Sequence, residues 1–266
     1  MDFEIKEGEY NDLYQEGTLY KYIDWSDVPR RNILSNLEIY FSSLDEFGGD
    51  ENYILETDLD SLTDETIRQR ALQIILTNGD TPTSEKIENM TKNYQKEIKD
   101  FIRNDREYMR KNLGIFSLST RRDIPQMWTM FADDFKGICI GFDSTSLMKK
   151  SNASGGGLIN YYQKAPELPP PLMDEDTDIA SILFEINSLP SLYIEEDEYR
   201  LFKFHVPSES QRKQMLPSSI YREIILGSEI SITDKNEILK IVSEKIPDIK
   251  IYTATYDITQ KTVLIS

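Results

Sequence analysis

Cysteine and histidine are almost missing from this 266-residue chain: Cys139 and His205 each stand alone. One cysteine excludes a disulfide framework and a cysteine-based zinc site. One histidine excludes multi-histidine metal sites, the HExxH type included, and leaves a single imidazole for any Ser–His or Cys–His pair. No metal centre is expected. Basic charge is also short, with 30 Lys and Arg against 47 Asp and Glu, for a formal net charge of −17. That deficit argues against general coating by nucleic acid or attachment to an anionic membrane. Long apolar runs are lacking too, and no stretch approaches the roughly 18 residues of a membrane span. The opening MDFEIKEGEY carries acids where a secretory signal is basic and then apolar. A cytoplasmic protein is expected.

The residues that are present suit one domain, 1–266, with a substantial core. Thr18 to Ile23 is aromatic-rich and short, as a strand is. Pro29 suits a helix start, and Glu38 to Ser42 reads as a second strand halted by Phe47-Gly48-Gly49-Asp50. Residues 60–113 change character. Asp64 is placed to cap one helix, broken at Asn78-Gly79, and Thr83 or Ser84 opens a longer one ending near Gly114. Sheet-like material then returns: Ile115–Ser119, Gly137–Phe142, Glu195–Phe204, Ser219–Leu226, Ile249–Tyr256 and Thr262–Ile265. Short helices are expected at 123–134, 178–188 and 234–244, and loops at 149–157 and 165–178. Without regular βαβ spacing, this order implies an α+β fold: a mixed, mainly antiparallel sheet with flanking helices and a helical insertion at about 60–113.

Two charge patterns stand out. On the long helix Lys92, Lys96, Lys99, Arg103, Arg106 and Arg110 recur at steps of four and three, within roughly an 80° arc. The acids Glu97, Asp100, Asp105 and Glu107 lie outside that arc. Residues 92–122 carry nine cations against four acids. Two readings stand: a solvated helix face, or a surface for nucleic acid or an acidic protein partner. The second pattern is Glu195-Glu-Asp-Glu-Tyr-Arg200. On a strand, period two puts Glu196, Glu198 and Arg200 on one face. They form either a solvated acidic strand with an ion pair, or two carboxylates that divide catalytic roles beside a guanidinium. Glycoside hydrolysis ranks low, because carboxylates two apart on one strand leave no slot for a sugar. Trp128, Met127 and Phe131 read as core, Cys139 as a buried thiol, His205 as structural and Ser154-Gly-Gly-Gly157 as a flexible turn.

Leu19-Tyr-Lys-Tyr22, Ile39-Tyr-Phe-Ser42 with Phe47, Met127-Trp128…Phe131-Ala-Asp133…Lys136-Gly-Ile-Cys-Ile-Gly-Phe-Asp143 and Glu196-Asp-Glu-Tyr-Arg-Leu201 occur in that order. Together they resemble the bacterial family known as domain of unknown function 2971, from about residue 18 to 256. The chain departs from the family pattern at Gly48 and Gly49, where Phe-Asn-Asp-Pro is usual. It departs again at Phe131 and Phe135, where Tyr and His are frequent. The order of elements is similar to a distant ADP-ribosyltransferase fold. That resemblance implies an NAD-dependent transferase or NAD glycohydrolase, in a toxin or phage-defence setting. It implies Glu198 as the catalytic carboxylate and Glu196 as the acid that positions the acceptor. Lys21, Ser42 and Arg200 would then contact NAD. The alternative is a non-enzymatic module that binds nucleic acid or a protein through helix face 92–110.

Overall fold

The computed structural model describes residues 17–46, 55, 62–168 and 183–266. The Phe47–Asp50 turn and most of the expected 165–178 loop lie outside them. The chain divides into two compact units. The first draws on Met1–Gly48, Asn112–Ile159 and Leu192–Ser266, the second on Gly49–Lys111 and Asn160–Ser191.

The first unit is built on eight strands. They are β1 (Thr18–Ile23), β3 (Gly114–Ser119), β4 (Ile138–Asp143), β5 (Gly155–Leu158), β8 (Glu198–Lys203), β10 (Tyr221–Gly227), β11 (Lys250–Asp257) and β12 (Thr262–Ile265). Their order is β12-β11-β10-β4-β1-β3-β8-β5. Only β10 and β11 run parallel, joined through helix α7 (Ile232–Lys245); every other neighbouring pair is antiparallel. A separate pair joins β2 (Glu38–Tyr40) to β9 (Lys213–Met215). The α+β architecture read from the sequence is the one observed.

Alternation along the strands separates two cores. On one face Leu19, Ile23, Phe116, Leu118, Ile140 and Leu201 pack with Ile33 and Leu34 of α1 (Asn32–Ser35). Leu147 of α5 (Ser144–Lys150) and Ile238 and Val242 of α7 complete that cluster. On the other face Tyr22, Cys139, Ile225 and Ala254 pack beneath Met127 and Trp128 of α4 (Pro125–Phe131). Trp128 meets Tyr22 edge-on, centroids 5.4 Å apart, and stacks on Phe135 at 5.3 Å. Trp128 is therefore core, as its helical spacing implies, and Cys139 is a buried free thiol.

Ser154–Gly157 is no flexible turn. Gly155 and Gly156 pair with Phe202 and Leu201 as β5, at one edge of the sheet. A Cβ on Gly155 would lie 2.4 Å from the Phe202 ring, and one on Gly156 would lie 2.8 Å from the Arg200 carbonyl. The glycines are there because the neighbouring strand occupies the space a side chain needs.

The second unit contains α2 (Asp64–Thr77) and α3 (Ser84–Asn112, its last residue in the first unit). Ile67, Tyr94 and Ile98 form their common apolar contact. The cap of α2 is Thr63, which accepts from the Thr66 N–H; Asp64 is the first helical residue. Parallel strands β6 (Asn160–Tyr162) and β7 (Ser188–Pro190) also belong to this unit. Residues 183–186 form a helical turn inside the expected 178–188 helix. The remaining short helix, α6 (Glu209–Arg212), precedes β9 in the first unit.

Candidate functional site

The Glu195–Phe204 segment is strand only from Glu198. Residues Ser191–Glu196 form a 3-10 turn, and Asp197 adopts φ 47 before β8 begins. A left-handed residue breaks the period of two, so Glu196 does not extend the alternation of Glu198 and Arg200. Aspartate tolerates this conformation because its short side chain finds local partners. Here the Thr120 hydroxyl donates to the Asp197 carboxylate, and the Thr120 N–H donates to the Asp197 carbonyl at 2.9 Å. The Ser119 hydroxyl donates to the Glu196 carbonyl at 2.8 Å. The turn is thereby fastened to the chain that follows β3.

Glu198 and Arg200 share one face of β8 and are 3% and 1% exposed. Arg200 Nε lies 2.7 Å from Glu198 Oε1, and Nη2 lies 3.0 Å from Oε2. Such a two-point grip fixes the carboxylate plane as well as its charge. Glu196 comes near this pair from the turn. Burial, and next the charge of Glu198, push its carboxyl up to about 7, with Arg200 opposing. Two acids two residues apart thus occupy different environments, the arrangement that separates acid and base roles in catalysis.

Register carries this site across the sheet. Glu198 pairs with Ser119, Ser119 with Tyr20, Tyr20 with Gly141 and Gly141 with Glu223. Paired residues point to the same face. A row that is polar except at Gly141 therefore crosses five strands, from β8 to β10, beside the apolar cluster roofed by α4. At about 4.8 Å per step it spans about 19 Å.

Lys21 is not part of this row. It points to the opposite face, where its ammonium lies 5.1 Å from the Phe116 ring centroid and donates to the Ser117 carbonyl at 2.7 Å. Burial pulls it down to about 8, helped by Arg30 and opposed by Glu198. Lys21 fills a gap in the sheet: β1 pairs with β3 only at Tyr20–Ser119, while Ser42 pairs with β3 at Ile115. Ser42 exchanges backbone hydrogen bonds of 2.8 Å with Ile115, and its register puts it on the face of Phe202 and Arg200. Of the expected site residues, Glu196, Glu198 and Arg200 come together, Ser42 shares their face, and Lys21 is turned away.

Four residues of the row and its rim were not singled out in the sequence: Tyr20, Ser119, Arg122 and Glu223. The Arg121 carbonyl accepts from the Tyr22 hydroxyl at 2.9 Å, and the Arg122 carbonyl from the Trp128 indole at 2.9 Å. The Ser119 hydroxyl also accepts from the Arg121 N–H at 3.2 Å. From this anchored loop Arg122 reaches Glu223 at 2.8 Å and lies over the Tyr252 ring. The usable signal was Glu223 itself, an acid inside the apolar run Tyr221–Gly227, where burial of a charge needs a partner.

The basic ridge lies on α3. Lys92 pairs with Glu88 at 2.8 Å and Arg103 with Asp100 at 2.9 Å, both on the exposed helix surface. Lys96 is exposed. Lys99, Arg106 and Arg110 lie on the same helix, with side chains outside the description. His205 sits in an exposed turn after β8 with φ 58. Among the described residues, no helix is long and apolar enough to cross a membrane.

Residues 127–240 match the family described as "Protein of unknown function (DUF2971)". The chain resembles that family. The matched residues include α4 from Met127 on, Cys139, Gly141, the Glu196–Arg200 group and Glu223, whereas Tyr20, Ser42, Ser119 and Arg122 come from outside them. Phe135 stacks on Trp128 within the apolar roof. No curated protein and no solved structure matches the chain.

Proposed function

We propose that this chain breaks the nicotinamide–ribose bond of NAD and passes the ADP-ribosyl group to an acceptor hydroxyl or to water. The observation that supports it is Glu196 beside the buried Glu198–Arg200 pair, two carboxylates held in unlike environments. NAD is a substrate in this reading. The bond between ribose C1′ and the nicotinamide nitrogen breaks, and its electron pair leaves with nicotinamide. Positive charge develops on the ribose, and the Glu198 carboxylate, oriented by Arg200, stabilises it. The acceptor oxygen bonds to C1′ as its proton passes to Glu196. A carboxyl pushed up to about 7 is a better proton acceptor than an ordinary one near neutral pH.

Lys21, the early cation that the ADP-ribosyltransferase resemblance implies, points to the opposite face of the sheet from Glu198, whereas Arg200 shares the face of Glu198 and Arg122 pairs with Glu223 on it. NAD consumption or target modification suits a toxin or a phage-defence protein. The basic helix has less to support it, because Lys92 and Arg103 are engaged by acids of the same helix. Incubation with NAD labelled in the adenylate, followed by separation of products, tests the proposal. Glu196→Gln is expected to lower label release or transfer by about a hundred-fold. Turnover unchanged in that variant overturns the assignment.

A further inference from the structure

The eight-stranded sheet ends at β12, whose outer edge pairs with no strand among the described residues. Backbone pairing fixes which groups that edge presents. The Thr253 N–H donates to the Ser266 carbonyl at 2.9 Å, and the Ser266 N–H to the Thr253 carbonyl at 3.0 Å. In an antiparallel ladder such bonded pairs alternate with unbonded ones. Thr255–Leu264 and Asp257–Thr262 are therefore the next bonded pairs, with Ala254–Ile265 and Tyr256–Val263 between them. The N–H and C=O groups of Val263 and Ile265 thus point outward, away from β11. Lys261, at φ 54, ends the strand before a third outward residue.

Edges of this kind are usually blunted by charge, proline or a bulge. Thr262-Val-Leu-Ile265 holds no charged residue and no proline, and its register with β11 is unbroken. Apolar surface gathers at the same corner: Leu264 is 50% exposed, and Ile251, Tyr256 and Ile258 are exposed as well. Charge does not bar a second copy. Residues 249–266 carry Lys250 and Lys261 against Asp257, a local +1 in a chain of −17. Two copies meeting here bring together a part of the chain that does not share its acidic excess.

The outward groups select a register. Antiparallel pairing centred on Leu264 sets Val263 of each protomer opposite Ile265 of the partner subunit, and every outward N–H and C=O then has a partner. Centring on Val263 or on Ile265 bonds that residue alone and leaves the other unmatched. Leu264 meets its own counterpart across the two-fold axis, as one of the closely spaced, unbonded pairs whose side chains touch. A set of groups that complements itself about one residue is what an isologous contact requires. We propose that β12 is a dimerisation edge: a second copy of this chain adds its own β12 antiparallel, with Leu264 on the two-fold axis. The two eight-stranded sheets then continue into one another. The contact is independent of the NAD reading.

One pair of short strands is a small interface, so association is expected to be weak and reversible. Sedimentation velocity of the full chain, over about a hundred-fold range of concentration up to about 0.5 mM, should show monomer passing to dimer. Leu264→Lys, which sets two ammonium groups face to face, is expected to weaken the dimer about ten-fold or more. Ile232→Lys, at an exposed apolar residue of α7, should leave it unchanged. Cross-linking gives a second measurement. Unbonded antiparallel pairs lie within reach of a disulfide, and Cys139 is buried. In diamide, Leu264→Cys is expected to form a covalent dimer about ten-fold or more faster than Ile258→Cys, whose position is more exposed but outside the strand. A dimer indifferent to Leu264→Lys, or equal cross-linking of the two cysteine variants, overturns the proposal. Monomer throughout also overturns it, whether the edge then stays open or takes a strand of another protein.

Discussion

Arg200 grips Glu198 at two points, 2.7 Å and 3.0 Å, with both side chains on one face of β8 and almost wholly out of solvent. Removal of the cation alone takes the two-point partner from a buried carboxylate, and breaking a buried pair in this way typically costs about 3–5 kcal/mol. Arg200→Met is therefore expected to lower unfolding free energy by about that amount in urea titrations. The double variant Glu198→Gln/Arg200→Met should recover part of the loss, because it removes both charges of the pair. Equal losses in the single and double variants would show that the pair contributes through packing rather than charge.

Glu196 makes stability depend on pH in a defined direction. Its carboxyl is raised from 4.5 to about 7 by burial and by Glu198. Between those values the folded chain holds a proton that the unfolded chain has released, so stability falls as pH rises through that window. The contribution is present below about 4.5 and lost above about 7. Thermal melts at pH 5 and pH 8 should therefore differ less in Glu196→Gln than in wild type. An identical pH dependence in the two proteins refutes the shift.

Gly227 is fixed by a neighbour that cannot yield. A Cβ at this position would lie 2.0 Å from the Phe135 carbonyl oxygen, while the Gly227 N–H donates to the Gly137 carbonyl at 3.0 Å. Gly227→Ala must push apart β10 and the turn after α4. A loss of about 1–3 kcal/mol is expected, toward the upper end because the obstacle is backbone. Chemical denaturation measures it, and a change within about 0.5 kcal/mol, the range of an ordinary surface substitution, would refute the clash.

Cys139 sits beneath α4, with burial pushing its thiol well above the ordinary value. The thiolate is the reactive form. A disulfide-exchange reagent should therefore leave the native protein unmodified over hours and label one thiol at once in denaturant. Rapid labelling under native conditions would contradict the packing.

Strands were legible wherever the sequence alternates or runs apolar. Thr18–Ile23, Ile115–Ser119 and the Gly137–Phe142 run all stand within a residue or so of their observed limits. The Gly-rich β5 was not legible, because its glycines answer to Phe202 and Arg200 on another strand rather than to any local turn. The Glu198–Arg200 relation was visible as a two-residue spacing. The place of Glu196 was not, since Asp197 in a left-handed conformation interrupts the alternation.

Sequence by itself determined the composition limits, the mixed sheet and the presence of two acids beside an arginine, because these follow from residue type and local period. Tertiary structure alone decided which neighbours share a face. Tyr20 and Lys21 are adjacent in the chain, and a strand sends them to opposite sides: Tyr20 into the row with Ser119 and Glu198, Lys21 into the gap beside Ser117. Register between distant strands makes that choice. Pairing is set by the burial of whole faces, a property no single segment contains.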